Sequence, residues 1–153
     1  MISTKSGFTV IEILAVITII FILSVISFNV FLNLNTDQAW SGDVEQIIET
    51  LRLARNQTLS SKNASQYGVH FSSSKITIFT GALYNSDAPT NQDFPFSSGG
   101  TIVSLNLISG GSDIVFNRLT GEVDDYGTLV VSSSKLSKTK TITVYKTGLI
   151  ESI

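Results

Sequence analysis

The feature that most constrains this chain is a run of 20 residues without charge, Ile13–Leu32, which begins directly after Glu12. At about 1.5 Å per residue a helix of this length rises about 30 Å, the thickness of the hydrocarbon core of a bilayer. A removable secretory signal peptide is the alternative, but its apolar region usually spans only about 7 to 15 residues and ends in a small-x-small cleavage site. Residues 24–31 contain no good site of this kind. We therefore predict a retained transmembrane helix.

The charges on either side of the run predict the orientation of the helix. Lys5 and the initiator amine precede the run, and the next positive residue after it is Arg52. Because positive residues favour the cytoplasmic side of a membrane helix, we predict a single-pass membrane protein with a cytoplasmic N-terminus. The remainder of the chain is then exported.

Glu12 is a carboxylate at the beginning of this apolar run. At the centre of a membrane helix an acid costs about 2.5 to 3.5 kcal/mol on insertion scales, and the cost is smaller near a helix end. One interpretation is an acid at the level of the cytoplasmic headgroups, where it complements the positive end of the helix macrodipole. The residues that precede Glu12 indicate a more specific role.

A short basic leader containing Lys5 is followed by Gly7, the aromatic Phe8, Thr9 and then Glu12. This pattern resembles the N-terminal signal of type IV pilins and type II secretion pseudopilins. The resemblance implies that a prepilin peptidase cuts between Gly7 and Phe8 and N-methylates the new amine of Phe8. It also implies that Glu12 serves in filament assembly.

The same resemblance implies a division of the chain into a prepilin leader (1–7), a transmembrane and assembly helix (8–36) and an exported globular pilin-like domain (37–153). Cleavage before Phe8 would free an amine one helical turn from Glu12, on the same face of the helix by the four-residue spacing. The acid would then have a cation to pair with, either in its own chain or in a neighbouring subunit.

Beyond the apolar run, the sequence continues with helical spacing. Asp43, Glu45, Glu49, Arg52 and Arg55 fall largely on polar faces, which predicts an amphipathic continuation of the first helix. The apolar residues that share one face are Val44, Ile47, Ile48, Leu51, Ala54 and Leu59.

After Lys62 the apolar residues alternate with a period of two. The segments YGVHF and KITIFTG predict a β-hairpin, and TIVSLNL, DIVF, GTLVVS and TITVYKTGLI predict further short strands. We therefore predict an α+β fold, in which a long N-terminal helix, half transmembrane and half amphipathic, packs on a C-terminal antiparallel β domain. The strands form one sheet or two small ones. The segment Tyr84–Gly100 carries both prolines and predicts a long surface loop, either a binding loop or a loop without function.

The C-terminal half is similar to the GspH/FimT-type minor pseudopilins and minor pilins. Some FimT-type pilins bind DNA through arginines after the final glycine, whereas here Gly148 is followed by Leu149, Ile150, Glu151, Ser152 and Ile153. With 10 Lys+Arg against 12 Asp+Glu and no basic stripe, we expect no nucleic-acid partner. The residues that carry the similarity are Ile114, Phe116, Gly121, Gly127–Val131, Ile142, Val144 and Thr147-Gly148.

The sequence gives little support for an enzyme. His70, the single histidine, is predicted to be a solvated strand residue, and we predict no catalytic residues, no metal site and no cofactor. The absence of cysteine removes thiolate metal sites and Cys nucleophiles. Asp124 and Asp125 either hold calcium or form an Asp-Gly-type turn, of which the turn is the more common outcome.

These observations predict a minor pseudopilin or minor pilin, that is, a structural subunit of a type II secretion or type IV pilus-like filament in the cytoplasmic (inner) membrane. Its partners would be other pilin or pseudopilin subunits and a prepilin peptidase, with the exported domain periplasmic or extracellular. A major pilin subunit and a membrane-anchored binding domain outside any filament are the alternatives. A secretion system, a pilus and a competence filament all stay open as the machine.

The leader generates the first testable prediction. Mature protein extracted from membranes should begin at an N-methylated Phe8, and replacing Gly7 by a bulky residue should abolish the cleavage, because the peptidase needs close approach to the backbone at that position. Intact-mass analysis checks both statements. Retention of residues 1–7 in the wild-type protein would contradict the prediction.

Overall fold

The computed structural model describes residue 7 and residues 9–97, 100–133 and 137–153, and within these it does not describe the side chains of residues 26–36. The predicted leader residue Lys5 and the predicted N-methylated residue Phe8 therefore lie outside the described residues. The chain forms two compact units, Met1–Thr36 and Asp37–Ile153.

A single long helix begins the described structure. Helix α1 extends over 50 residues, Val10–Leu59, and is followed by a short 3₁₀ turn, Lys62–Ala64. The Thr9 hydroxyl accepts a hydrogen bond from the Glu12 backbone N–H at 3.3 Å, which satisfies one of the unpaired donors at the helix N-terminus. The predicted amphipathic continuation of the first helix is thus present as part of α1.

The predicted membrane span is not confirmed. Among the residues whose side chains are described, no helix is long and apolar enough to cross a membrane. The predicted span, Ile13–Leu32, continues into residues 26–36, whose side chains lie outside the description. The transmembrane half of the helix therefore stays a prediction.

In the described residues, eight strands form two antiparallel sheets of four strands each, which confirms the α+β class and the possibility of two small sheets. The first sheet has the order β3-β2-β1-β5, and the second has the order β4-β6-β7-β8. The bounds are β1 Tyr67–Phe71, β2 Lys75–Thr80, β3 Gln92–Pro95, β4 Gly100–Leu107, β5 Asp113–Val115, β6 Gly127–Ser133, β7 Lys138–Val144 and β8 Ile150–Ser152.

The predicted hairpin is confirmed as β1 and β2. Val69 lies opposite Ile78 and Phe71 opposite Ile76, and all four side chains are buried. These residues are the alternate apolar positions from which the hairpin was predicted, so the period of two correctly identified the inner face of the first sheet.

The apolar face of the second half of α1 forms the centre of the core in the unit Asp37–Ile153. Five of its six predicted residues are buried, whereas Leu59 at the end of the helix is 38% exposed. Both sheets contribute to the same cluster, for example Val69 from β1 and Ile142 from β7. The five buried residues of α1 are Val44, Ile47, Ile48, Leu51 and Ala54.

The prediction of a continuous loop over Tyr84–Gly100 is wrong, because β3 lies within it. This edge strand pairs with β2, and Asp93 accepts hydrogen bonds at 2.6 Å from Lys75 Nζ and from the Thr77 hydroxyl. The bond from Lys75 holds the pKa of Asp93 below its ordinary value. Pro95 is the last residue of the strand and needs no donor there, which is how an edge strand tolerates proline.

Arg55 of α1 joins two glycine turns at the end of the domain. Its Nε donates to the Gly121 carbonyl at 3.3 Å, and its Nη2 donates to the Thr147 carbonyl at 3.4 Å. Gly148 has a φ of +74°, and a Cβ added there would overlap the Gly121 carbonyl oxygen and lie 2.8 Å from Arg55 Nε. The turn at Gly148 therefore needs glycine both for its backbone conformation and for its space.

Gly110 provides a matched control for this turn, because its φ is +72° and a Cβ added there would meet nothing within 4 Å. Gly110→Ala should cost about 1 to 2 kcal/mol of stability, the penalty for a left-handed conformation in an L-residue. Gly148→Ala should cost about 1 to 3 kcal/mol more, because the clash adds to the same penalty. Urea unfolding of both variants checks the difference, and equal losses would contradict the role assigned to the Gly121 contact.

Candidate functional site

The first turns of α1 carry the one predicted site residue whose side chain is described, Glu12. Its side chain is exposed, and together with Ile13, Val16 and Ile17 it borders a shallow depression of about 240 Å³. Within the residues that the structure describes, Glu12 forms no salt bridge. Its predicted partner, the amine of Phe8, lies outside them. The described structure therefore neither shows nor excludes an ion pair between Glu12 and this amine.

The surface around Glu12 is apolar on every side of the helix. Every large apolar side chain from Val10 to Val25 is between 50% and 79% exposed. This differs from the second half of α1, where one apolar face is buried and the other faces are polar. The exposed side chains are Val10, Ile11, Ile13, Leu14, Val16, Ile17, Ile19, Ile20, Phe21, Ile22, Leu23 and Val25.

The hydroxyl groups in this part of α1 are satisfied by the helix itself. Thr18 donates to the Leu14 carbonyl and Ser24 donates to the Ile20 carbonyl, each at 2.8 Å. Such bonds to the carbonyl four residues earlier leave no hydroxyl donor without an acceptor. Glu12 is the one acidic or basic residue in the described apolar segment from Val10 to Val25.

Gly7, the residue before the predicted cleavage site, lies in non-helical backbone ahead of α1 and is exposed. No heavy atom would lie within 4 Å of a Cβ built at this position. The described part of the chain therefore does not cover the backbone at Gly7, and an enzyme that needs close approach has room there.

His70 is less solvated than predicted. Its Nδ1 lies 2.6 Å from Asp113 Oδ1 on the neighbouring strand β5, and its ring stacks on Tyr84 with centroids 3.8 Å apart. The Tyr84 ring also contacts the buried Phe79 edge-on. No local pattern indicates that the segment after β2 folds back over this face, and Tyr84 in that segment covers the ring of His70. The arrangement ties β1, β5 and the segment at Tyr84 together.

Asp124 and Asp125 behave as turn residues. Asp125 accepts hydrogen bonds from the backbone N–H and the hydroxyl of Ser109, and Asp124 Oδ2 accepts one from Asn117 Nδ2 at 3.2 Å. Their carboxylates thus bind two different neighbouring turns instead of converging on one point. Over the described residues, no group of three or more His, Cys, Asp or Glu is positioned to hold a metal ion.

The helical spacing predicted the wrong environment for Asp43. It was predicted to lie on a polar face of α1, yet it is only 1% exposed, and its Oδ1 accepts hydrogen bonds at 2.8 Å from both the N–H and the hydroxyl of Ser97. Its Oδ2 lies against Gly100. Asp43 therefore connects α1 to the segment between β3 and β4. A contact across so many residues leaves no trace in a local sequence pattern.

The basic residues near the final glycine turn are largely occupied within the chain. Arg55 donates to two backbone carbonyls, and Arg52 pairs with Glu49 at 2.8 Å. These two arginines, with Gly148 and Leu149, border a shallow groove of about 290 Å³.

Comparison with known protein families, curated proteins and solved structures gives no match for this chain.

The charges of the second unit generate a prediction about DNA. Of the 10 basic and 12 acidic side chains, Lys5 and Glu12 lie in residues 1–36, so a fragment from Asp37 retains 9 basic and 11 acidic side chains. This fragment contains every buried apolar side chain of the described residues and should fold as a soluble domain. It should bind double-stranded DNA weakly or not at all at physiological salt. A gel-shift assay tests this, and tight binding that weakens with added salt would contradict it.

Proposed function

We propose that this protein is a pilin-like subunit, of the minor pseudopilin or minor pilin type, which is anchored in the cytoplasmic membrane by the first half of α1 and assembles through that segment into a filament. A major pilin would use the same anchor, and copy number rather than subunit geometry separates the two. The proposal includes cleavage between Gly7 and Phe8 and N-methylation of Phe8 by a prepilin peptidase.

The observation that carries the proposal is the exposed apolar surface of α1 between Val10 and Val25. Twelve large apolar side chains lie there, each at least half exposed. At about 25 cal/mol per Å² of apolar surface, leaving such a segment in water is strongly unfavourable, and exposed patches larger than a few hundred Å² mark membrane or protein contacts. A lipid bilayer and the equivalent helices of other subunits both cover a helix that is apolar on all sides.

The position of Glu12 supports assembly in addition to simple anchoring. A helix that only anchored the domain would be more stable in lipid with an apolar residue at this position. An acid in the first turn, four residues after the predicted new N-terminus at Phe8, gains most when a cation lies close to it. An amine on an adjacent subunit is such a cation, and it would set the axial register of the two helices.

A buried ion pair also gives a mechanism for selective assembly. The Coulomb attraction offsets the desolvation of the two charges only while both partners are present, and removing one partner costs about 3 to 5 kcal/mol. A subunit with an intact Glu12 and a free Phe8 amine would therefore be favoured in the filament over an uncleaved subunit. The resemblance of the leader to prepilin signals supports this order of events, with cleavage before assembly.

Two substitutions of Glu12 test the proposal. Both Glu12→Gln and Glu12→Leu should leave membrane insertion and cleavage intact, because each lowers the cost of placing the helix in lipid. Both should reduce co-purification with filament subunits by about tenfold or more at matched membrane levels, because the amine of the neighbouring subunit would lose its counter-charge.

The matched control is Glu45→Gln, which removes an equal charge from an exposed position in the second half of α1. Glu45→Gln should assemble normally. Normal incorporation of Glu12→Leu would refute the pairing mechanism and leave Glu12 as an acid at headgroup level. Loss of the three variants Glu12→Gln, Glu12→Leu and Glu45→Gln from the membrane fraction would refute the proposal that the first half of α1 anchors the protein in the membrane.

A further inference from the structure

Each sheet of the second unit ends in two edge strands, which are β3 and β5 in the first sheet and β4 and β8 in the second. The unpaired backbone groups of an edge strand can pair with another chain, and proteins usually protect such edges by shortness, charge or proline. β3 contains Asp93 and Pro95. β5 and β8 are each three residues long and contain Asp113 and Glu151. Strand β4 has none of these three protections.

Strand β4 is eight residues long and contains neither a charged residue nor a proline. It lies inside an uncharged run that extends from Phe94 to Ser112. None of its residues between Gly100 and Leu107 is buried, and Val103 is 58% exposed. Over the described residues its strand partner is β6 alone. One side of β4 is therefore open to another strand.

A β-bulge at one end and a turn at the other limit the part of β4 that can pair regularly. The bulge lies at Val103, and a bulge bends its strand, which hinders pairing at that point. At the other end the Gly110 N–H donates to the Leu107 carbonyl at 3.0 Å, which begins a turn. The regular stretch is residues 104–108, and Asn106 is its centre.

The alternation of the backbone decides which groups of this stretch point to the open side. The Ile108 N–H donates at 3.1 Å to the carbonyl of the residue before β6. The Asn106 carbonyl also points to β6, because a Cβ built on Gly127 of that strand would overlap it. Every second residue of an antiparallel strand bonds to the same neighbour. Leu105 and Leu107 therefore direct their N–H and C=O groups to the open side.

We propose that two copies of this protein pair along β4, antiparallel about a two-fold axis at Asn106, and so join their second sheets into one. In this register Leu105 of each copy lies opposite Leu107 of the other. Each such pair exchanges both of its N–H···O bonds, so every outward donor of the stretch meets an outward acceptor. The Leu107 carbonyl already accepts from Gly110 and uses its second lone pair for the new bond.

The side chains of the stretch favour a second copy as the occupant. Across the axis, Ser104 faces Ile108 of the other copy, and Asn106 faces Asn106. Ile108 is 66% exposed, and Asn106 Nδ2 donates to Ser104 Oγ at 3.3 Å on the same outer face. Pairing would cover Ile108 and would bring no like charges together, whereas like charges directly opposite each other destabilise a sheet.

A strand of another protein is the competing occupant. It would need an uncharged stretch with an open side, as long as residues 104–108, and a second copy supplies such a stretch by symmetry. The inference uses residues of the second unit alone, so it does not depend on the proposed membrane anchor.

Disulfide cross-linking tests the register, since the chain contains no cysteine of its own. In the proposed pair the two copies of residue 106 form a non-hydrogen-bonded pair, whose Cα atoms lie about 4.5 Å apart, within the range of about 4.4 to 6.8 Å for disulfides. In the full chain in detergent, Asn106→Cys should form an intermolecular disulfide about tenfold faster than the control, because pairing holds the two thiols together.

The control for this rate is Leu149→Cys. Leu149 is 58% exposed and precedes β8, at the opposite edge of the same sheet. Both variants carry the same α1, so association through the helix raises both rates equally. Equal rates for the two variants would overturn the inference.

A charge swap at Asn106 distinguishes strand pairing from chance contact. The reporter is the disulfide between Ser104→Cys in one copy and Ile108→Cys in the other, which lie opposite each other in the proposed register. Asn106→Lys in both copies should slow this disulfide about fivefold, because it places like charges across the axis. Asn106→Lys in one copy with Asn106→Asp in the other should restore the rate. Thr139→Lys adds the same charge at an exposed position on β7 and should leave the rate unchanged.

The remaining outcomes each decide the inference. An unchanged rate with Asn106→Lys in both copies would overturn it. A rate that Asn106→Asp fails to restore would attribute the loss to damage within β4 and would also overturn it. A photo-reactive group attached at Asn106→Cys in membranes should label a second, differently tagged copy. Labelling of a different protein in its place would assign the edge to that protein's strand. The proposed function depends on Glu12 and the cleavage site, so none of these outcomes changes it.

Discussion

The packing of one face of α1 against both sheets is the interaction on which the domain from Asp37 to Ile153 depends. Ile47, Leu51 and Ala54 are completely buried there, and each fully buried Ile or Leu side chain contributes about 1.5 to 3 kcal/mol relative to an exposed one. Four-stranded sheets with one apolar face each need a partner for that face. The helix provides the same partner for both, so the two sheets share one core instead of forming two.

Side chains that resemble catalytic or metal-binding groups act in this domain as connections between its elements. His70 and Asp113 join β1 to β5, Asp125 holds the turn after β4, and Asp43 joins α1 to the segment after β3. Each of these carboxylates accepts hydrogen bonds from within the chain. A carboxylate that is committed in this way has fewer lone pairs left for a metal ion or a reacting proton.

The sequence correctly predicted the helix and strands in which apolar residues recur at a regular period. The helical spacing from Val44 to Ala54 and the alternation in β1 and β2 each contain several apolar residues at a fixed period, so a single deviation does not hide the pattern. Strand β3 was missed because it is four residues long, ends in proline and contains one partly buried apolar residue, Phe94. Local patterns also failed for Asp43 and His70, since both are covered by segments that are distant in the sequence.

For the candidate site, the sequence supplied the residue types, and the described structure supplied the environment of Glu12 and Gly7 alone. What the structure adds is a contrast within one helix: α1 is apolar on one buried face after Asp37 and apolar on all exposed faces between Val10 and Val25. A helix in contact with a single folded domain needs only one apolar face, because its other faces meet water. A helix that is apolar all round needs a surrounding of the same kind, and in such a surrounding one carboxylate at Glu12 is stable only near a polar boundary or beside a cation. The two halves of α1 thus present two different surfaces, and Glu12 lies where the apolar half begins.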